Sequence, residues 1–189
     1  MKEIIENYNK RLISVLNNFP KDNIYKLAEE LNIAWKNDRA VFLCGNGGSA
    51  GNAMHLANDF IYGAGVNYGK GLNIEALTSN SSVLTCLAND IGYENIFSQQ
   101  LKAKGKKKDL LIVLSGSGNS KNVINAIETA HELEIKTFAI LGFKGGECKK
   151  IAQHPIHFPV DDMQISEDLQ LIVGHMCMKW LCQLDHKDE

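Results

Sequence analysis

Two short apolar runs, each closed by a glycine- and serine-rich turn that opens a helical segment, constrain this chain more than any other feature. The first is Ala40-Val41-Phe42-Leu43-Cys44, followed by Gly45-Asn46-Gly47-Gly48-Ser49. The second is Asp109-Leu110-Leu111-Ile112-Val113-Leu114, followed by Ser115-Gly116-Ser117-Gly118-Asn119-Ser120. A run of strand formers without polar alternation reads as a strand covered on both faces, the habit of parallel sheets. Leu72 to Leu77 is a weaker strand, Lys136 to Leu141 a strong one stopped by Gly142. Ile156 to Val160 is a last short strand, and Pro155 and Pro159 mark it as an edge.

Helical segments separate the strands: 49–60, 81–88, 95–104, 119–133, and a long one from about Ser166 to Leu184. Two more precede them. Ile4, Ile5, Tyr8, Leu12, Ile13, Val15 and Leu16 form an apolar stripe that Pro20 breaks. Ile24, Leu27, Leu31, Ile33 and Ala34 form the next. Alternating strands and helices predict an α/β fold with a central parallel sheet and helices on both faces. Its 189 residues suit one domain over 1–189, with the N-terminal helices (1–37) packed on it. There is no internal repeat and no linker.

Charge narrows the partners. Net charge is −2, so bulk electrostatics give no reason to expect a nucleic acid, and the Lys102–Lys108 run, bounded by Asp109, reads as a solvated helix end. Five scattered cysteines without a CxxC pair read as small core residues in a reducing compartment. The charged, helix-periodic N-terminus lacks a signal peptide's apolar core, and no apolar run reaches the roughly 20 residues that span a membrane. Cytoplasm and no membrane are the expectation.

Turns of this kind sit where ligands collect in open α/β sheets, beyond the carboxyl ends of the strands. Glycines let the backbone approach an anion, and freed N–H groups and the helix dipole favour negative charge. Serine hydroxyls add donors without net charge. Two such turns predict a phosphate site for a small metabolite, a sugar phosphate above all. Gly45 to Ala50 also fits the G-x-G-x-x-A dinucleotide pattern. That motif needs an acid at the end of the following strand, where the chain reads Leu77-Thr78-Ser79-Asn80. A nicotinamide or flavin reading is disfavoured.

His55 and Asp59 are four apart on the helix after the first turn, so they share a face. This spacing suits either two ligands of one metal or an ordinary surface pair. His175 stands inside a helix that is apolar on most sides, which suggests burial against another subunit. It reads either as a satisfied core histidine or as a site residue. Ser166 is a candidate N-cap and Glu167 a first-turn carboxylate.

Together these motifs resemble the phosphoheptose (sedoheptulose 7-phosphate) isomerases of the sugar isomerase (SIS) superfamily. The resemblance rests on Cys44-Gly45-Asn46-Gly47-Gly48-Ser49 with Ala53-Met54-His55-Leu56-Ala57, and on Ala88-Asn89-Asp90 with Gly92. Ser117-Gly118-Asn119-Ser120 with Val123-Ile124, and Gly174-His175, complete it. It implies a flavodoxin-like three-layer sandwich, a homotetramer with the N- and C-terminal helices at subunit interfaces, and often zinc or another divalent metal. It implies conversion of sedoheptulose 7-phosphate to D-glycero-D-manno-heptose 7-phosphate through a cis-enediol, in heptose biosynthesis for lipopolysaccharide. By position, Ser49, Ser115, Ser117 and Ser120 correspond to phosphate binders, with Gly47 and Gly116 in the same turns. Asn46, Asn89 and Asp90 correspond to substrate contacts. His55, Asp59, Glu167 and His175 correspond to metal ligands, with Asp59 (or Glu167) as base and His175 as its acid/base partner.

Three positions depart from the family pattern: Asp59 for a glutamate, Glu167 for a glutamine, and Gly116 for a threonine. Asp is one methylene shorter than Glu, and Glu167 adds a negative charge. On a continuous helix Glu167 and His175 are about 12 Å apart along the axis and some 80° apart around it. They meet at one metal only by long reach, if Glu167 precedes the regular helix, or if two subunits supply them. Another sugar-phosphate isomerase, or a sugar-phosphate-binding regulator without catalysis, are the alternatives.

Overall fold

The computed structural model describes residues 1–65 and 69–184. The elements are α1 (Lys2–Leu16), α2 (Lys21–Lys36), β1 (Val41–Gly45), α3 (Gly48–Asn58), β2 (Ile74–Ala76), α4 (Ser81–Ile91), α5 (Ser98–Lys104), β3 (Leu110–Ser115), α6 (Lys121–Glu132), β4 (Lys136–Leu141), α7 (Gly146–Ile151), β5 (His154–His157) and α8 (Met163–Leu181). The five strands are all parallel and lie in the order β2-β1-β3-β4-β5. Helices on both faces complete the three-layer α/β/α sandwich expected from the sequence.

The strand sequences explain the layers. Successive side chains point to opposite faces. Val41 and Leu43 of β1, with Leu110, Ile112 and Leu114 of β3, join the core under α2, α3 and α8. Phe42 and Cys44, with Leu111 and Val113, join the core under α5 and α6. Both sets are buried, which is why the runs show no polar alternation. β5 is an edge strand, as Pro155 predicts, but it begins at His154 and ends at His157. The short helix α7 carries no amphipathic signal long enough to be seen in advance.

Helix α8 starts earlier than its sequence suggests. Its N-cap is Asp162, whose Oδ1 accepts from the Ile165 N–H at 3.1 Å. Ser166 is buried one turn inside and donates its hydroxyl to the Asp162 carbonyl oxygen at 2.6 Å. Asp162 Oδ2 also pairs with Arg11 Nη1 at 2.7 Å, and Tyr8 donates to Asp168, so α1 is tied to the start of α8. Burial, then the hydrogen bond and charge of Asp168, push the Tyr8 hydroxyl up to about 12. No residue of α1 is fully buried, and Ile4, Ile5 and Ile13 of its predicted stripe are exposed. Ile33, expected inside, is also exposed. Among the described residues, no helix is long and apolar enough to cross a membrane.

One strand histidine carries a pH signature. His154 of β5 lies with its ring against Phe138 at 4.8 Å. Burial first, then the Lys26 and Lys136 charges, lower its pKa from 6.5, while Glu30 opposes them. The unfolded chain therefore binds this proton at a higher pH than the native chain does. This contribution to stability is present above about pH 6.5 and is lost as pH falls through the lower native value. Urea unfolding of wild type and His154→Gln between pH 8 and pH 5.5 tests it. The wild type is expected to lose more stability on acidification, and parallel curves would show that His154 is not responsible.

Candidate active site

The order β2-β1-β3 makes β1 and β3 neighbours, with successive connections leaving in opposite directions. Their carboxyl ends form the crevice where the two serine- and glycine-rich turns meet. Gly45 pairs with Leu114 at the ends of the strands. A Cβ on Gly45 would lie 2.7 Å from the Leu114 carbonyl oxygen and 2.8 Å from the Ser49 Cβ, so only glycine allows this approach.

The second turn is an open nest. Gly118 N–H donates to Ser115 Oγ at 3.0 Å, and Asn119 N–H to Ser117 Oγ at 3.3 Å. Ser120 is the N-cap of α6, yet its hydroxyl makes no capping bond, which leaves it available to a ligand. Gly116 is buried and Ser117 half-buried.

The first turn is more occupied. Gly47, at φ +56°, is the N-cap of α3. Ser49 is buried and its Oγ accepts from Gln170 Nε2 at 2.9 Å. The Glu167 carboxylate covers Gly48, in the space a Cβ there would need. Asn46 is locked in a reciprocal amide pair with Asn122 at 2.8 and 2.9 Å and accepts from Tyr93 Oη at 2.9 Å. Its remaining free group is one N–H of the amide.

Two turns further along α3 lies a compact group. His55 Nε2 and His175 Nε2 are 3.0 Å apart, and Asp59 Oδ2 is 3.5 Å from the first and 3.3 Å from the second. Asp59 is the first residue of a π-helical turn, Asp59–Gly63, into which α3 runs. Such turns recur at functional sites. Its carboxylate reaches both rings despite its shorter side chain. Three ligand atoms held 2.0–2.1 Å from one tetrahedral ion stand about 3.3 Å from each other, so this set fits a divalent metal such as zinc. Both imidazoles are partly exposed, which leaves a side open to substrate.

Of the four residues predicted as metal ligands, the structure brings three together and not the fourth. Glu167 is not in the cluster formed by His55, Asp59 and His175. It lies in the second turn of a continuous α8, so neither the pre-helical position nor the first-turn placement holds. Eight residues of helix separate its Cα from that of His175 by about 12 Å. Helices α3 and α8 run side by side in the same sense, matching Glu167 to Gly48, Gln170 to Ser49, Gly174 to Leu56 and His175 to His55.

Asn89 and Asp90 sit at the exposed end of α4 and bond to each other at 2.8 Å. Asn122, Tyr93 and Gln170 were missed by the sequence reading. The available signals were a glutamine on the apolar stretch of the C-terminal helix and an asparagine two residues past Ser120.

Comparison with known proteins places the chain in a family. The SIS domain family model matches residues 6–142. The phosphoheptose isomerase of Clostridium acetobutylicum is 37% identical, over 100% of this chain and 96% of its own length. The chain belongs to the phosphoheptose isomerase family of SIS domains. The solved phosphoheptose isomerase GmhA of Neisseria gonorrhoeae superposes with TM-score 0.88 at 28% identity, covering 97% of this chain and 99% of that one. That of Francisella tularensis gives 0.89 at 26% identity, covering 97% and 98%. Glu167 and His175 lie beyond the matched SIS segment but within the span shared with these phosphoheptose isomerases.

All five cysteines are free thiols. Burial pushes Cys148 and Cys177 up to about 12, and Cys44 higher still. Exposed Cys86 is also raised, by its hydrogen bond to Asp90 Oδ2 at 3.5 Å and by that carboxylate's charge. Replacing Asp90 with asparagine should therefore speed iodoacetamide labelling of Cys86 at fixed pH, as followed by peptide mass spectrometry. An unchanged rate would show that Asp90 does not face the thiol in solution.

Proposed function

We propose that this chain interconverts sedoheptulose 7-phosphate and D-glycero-D-manno-heptose 7-phosphate through a cis-enediol. The observation that carries the reading is the convergence of His55, Asp59 and His175 two helical turns from a pair of phosphate turns. Seven residues of α3 from Gly48 to His55 span about 10 Å, so the group stands about that far from the first turn, on the scale of a sugar phosphate.

Ser115, Ser117 and Ser120, with the Gly116 backbone, grip the phosphate. Gly47, Ser49 and Asn46 face the sugar from the first turn, and Asn89 and Asp90 from the end of α4. Binding energy from the phosphate orients the far end of the sugar for proton transfer. Asp59 takes a proton from C1 and returns it at C2, and His175 moves protons between the two oxygens. His55, Asp59 and His175 would hold a divalent ion such as zinc. When bound there, the ion polarises a carbonyl and stabilises negative charge on its oxygen. Glu167, fixed at the α3 N-terminus, faces the middle of the substrate and accepts hydrogen bonds from sugar hydroxyls.

We further propose that a single SIS domain spans 1–189, that the protein works in the cytoplasm, where its free thiols stay reduced, and that it assembles as a homotetramer. The exposed isoleucines of α1 support the last point. So does an apolar groove of about 580 Å³ lined by Leu16, Phe19, Ile24, Tyr25, Met176 and Trp180. The product would feed heptose synthesis for surface lipopolysaccharide.

Proton NMR of metal-loaded protein with sedoheptulose 7-phosphate in D2O tests the reaction. A new aldose signal with deuterium at C2 is expected. No exchange with zinc and other divalent metals, in folded protein, would rule the reaction out. Replacing Ser117 and Ser120 with alanine, each the loss of a bond to a charged group worth about 1.5–3 kcal/mol, should raise KM about tenfold or more apiece. An unchanged KM would mean the phosphate lies elsewhere.

A further inference from the structure

The second turn meets its phosphate with neutral groups only. Its donors are serine hydroxyls and backbone N–H groups, and a helix N-terminus is equivalent to about +0.5 charge. A phosphate monoester brings about −1.5 to −2 at neutral pH. The first turn adds the Glu167 carboxylate, which makes the deficit worse. A site with this balance lacks a cation.

Lys144 stands at the required place. It lies in the β4–α7 turn and lines a cavity of about 500 Å³ together with Ser117, Asn119, Phe143, Pro159 and Asp161. Among the described residues, no carboxylate is within ion-pair distance of its ammonium, Asp161 included. Lys121, at the start of α6, is exposed like Lys144 but does not line the cavity.

The β4–α7 turn is braced on the serine turn. Gly142 N–H donates to the Gly116 carbonyl at 3.0 Å, Cys148 N–H to the Gly118 carbonyl at 3.0 Å, and Glu147 N–H to Asn119 Oδ1 at 3.1 Å. Gly118, at φ +67°, has no room for a Cβ against the Gly145 carbonyl. Phe143 is held at φ +43°, a left-handed conformation unfavourable for a bulky residue. Both its backbone groups are fixed: its N–H donates to the Val160 carbonyl at 3.0 Å, and its carbonyl accepts from His157 Nε2 at 3.0 Å. Strained backbone held from several sides is characteristic of functional turns.

We infer that Lys144 is the charged member of the phosphate site, a substrate-binding residue whose ammonium closes over the anion seated on Ser117 and Ser120. The inference rests on the sugar-phosphate reading above. The Phe143 conformation and the bonds to the serine turn set where the ammonium stands.

The test uses the full chain and two ligands. Inorganic phosphate is titrated calorimetrically into wild type, Lys144→Ala, Lys144→Arg and Lys121→Ala, at low and high NaCl. KM and kcat are measured with sedoheptulose 7-phosphate. Lys144→Ala should weaken phosphate binding and raise KM by about tenfold or more, the loss of one charge-assisted hydrogen bond. Its kcat should stay within about twofold, because the phosphate is held in ground and transition states alike. Lys144→Arg should recover most of the affinity, and the wild type should show the steeper salt dependence. Unchanged phosphate affinity and KM in Lys144→Ala, or an equal loss in Lys121→Ala, overturns the inference. Lys144-dependent phosphate binding without heptose turnover would reject the isomerase reading and leave this one standing.

Discussion

Parallel pairing of β1 with β3 is the constraint on which everything else depends. It brings the ends of two strands side by side, so the turns that follow must share one crevice and the helices α3 and α6 must start from it. The approach is tight enough that Gly45 has no room for a side chain between Leu114 and Ser49. Each turn alone is an ordinary helix start. Held a strand spacing apart, they bring two sets of N–H groups and hydroxyls to one crevice, the place where ligands collect in open α/β sheets.

A second constraint positions the chemistry. Helix α8 lies along α3, running in the same sense, and polar contacts fix its register: Gln170 to Ser49 and Asn52, and Asn52 to the Glu167 carbonyl. Gly174 lets the helices approach, since a Cβ there would collide with Leu56. One turn of slip in this register would carry His175 about 5 Å from His55 and dissolve the group with Asp59. The same register places Glu167 over Gly48, so the position that departs from the family glutamine lies against the first turn and apart from the group of His55, Asp59 and His175.

The outer surface follows a different logic. Helix α1 is held to α8 by the Arg11–Asp162 pair and the Tyr8–Asp168 bond while much of its apolar stripe faces outward. An exposed ion pair contributes little, about 0–1 kcal/mol, and α1 buries no residue fully. The half-buried Tyr8, Leu12, Val15 and Leu16 supply most of its attachment to the core.

The sequence by itself determined the layer architecture and the place of both turns. Unbroken apolar runs as short as Leu110–Leu114 read as strands buried on both faces, because Gly and Ser at their ends stop them well short of a helix's length. It also determined that His55 and Asp59 share a helix face, because a spacing of four residues is local geometry. Only the tertiary structure decided what joins them. His175 lies 120 residues from His55 along the chain, and its partner follows from the packing register of two helices that no local pattern encodes. The exclusion of Glu167 from that group is set by the continuity of α8, since eight residues of regular helix hold its Cα about 12 Å from that of His175. Capping, a π-helical turn and a left-handed Phe143 are choices among nearly equal local conformations, and long-range contacts settle them.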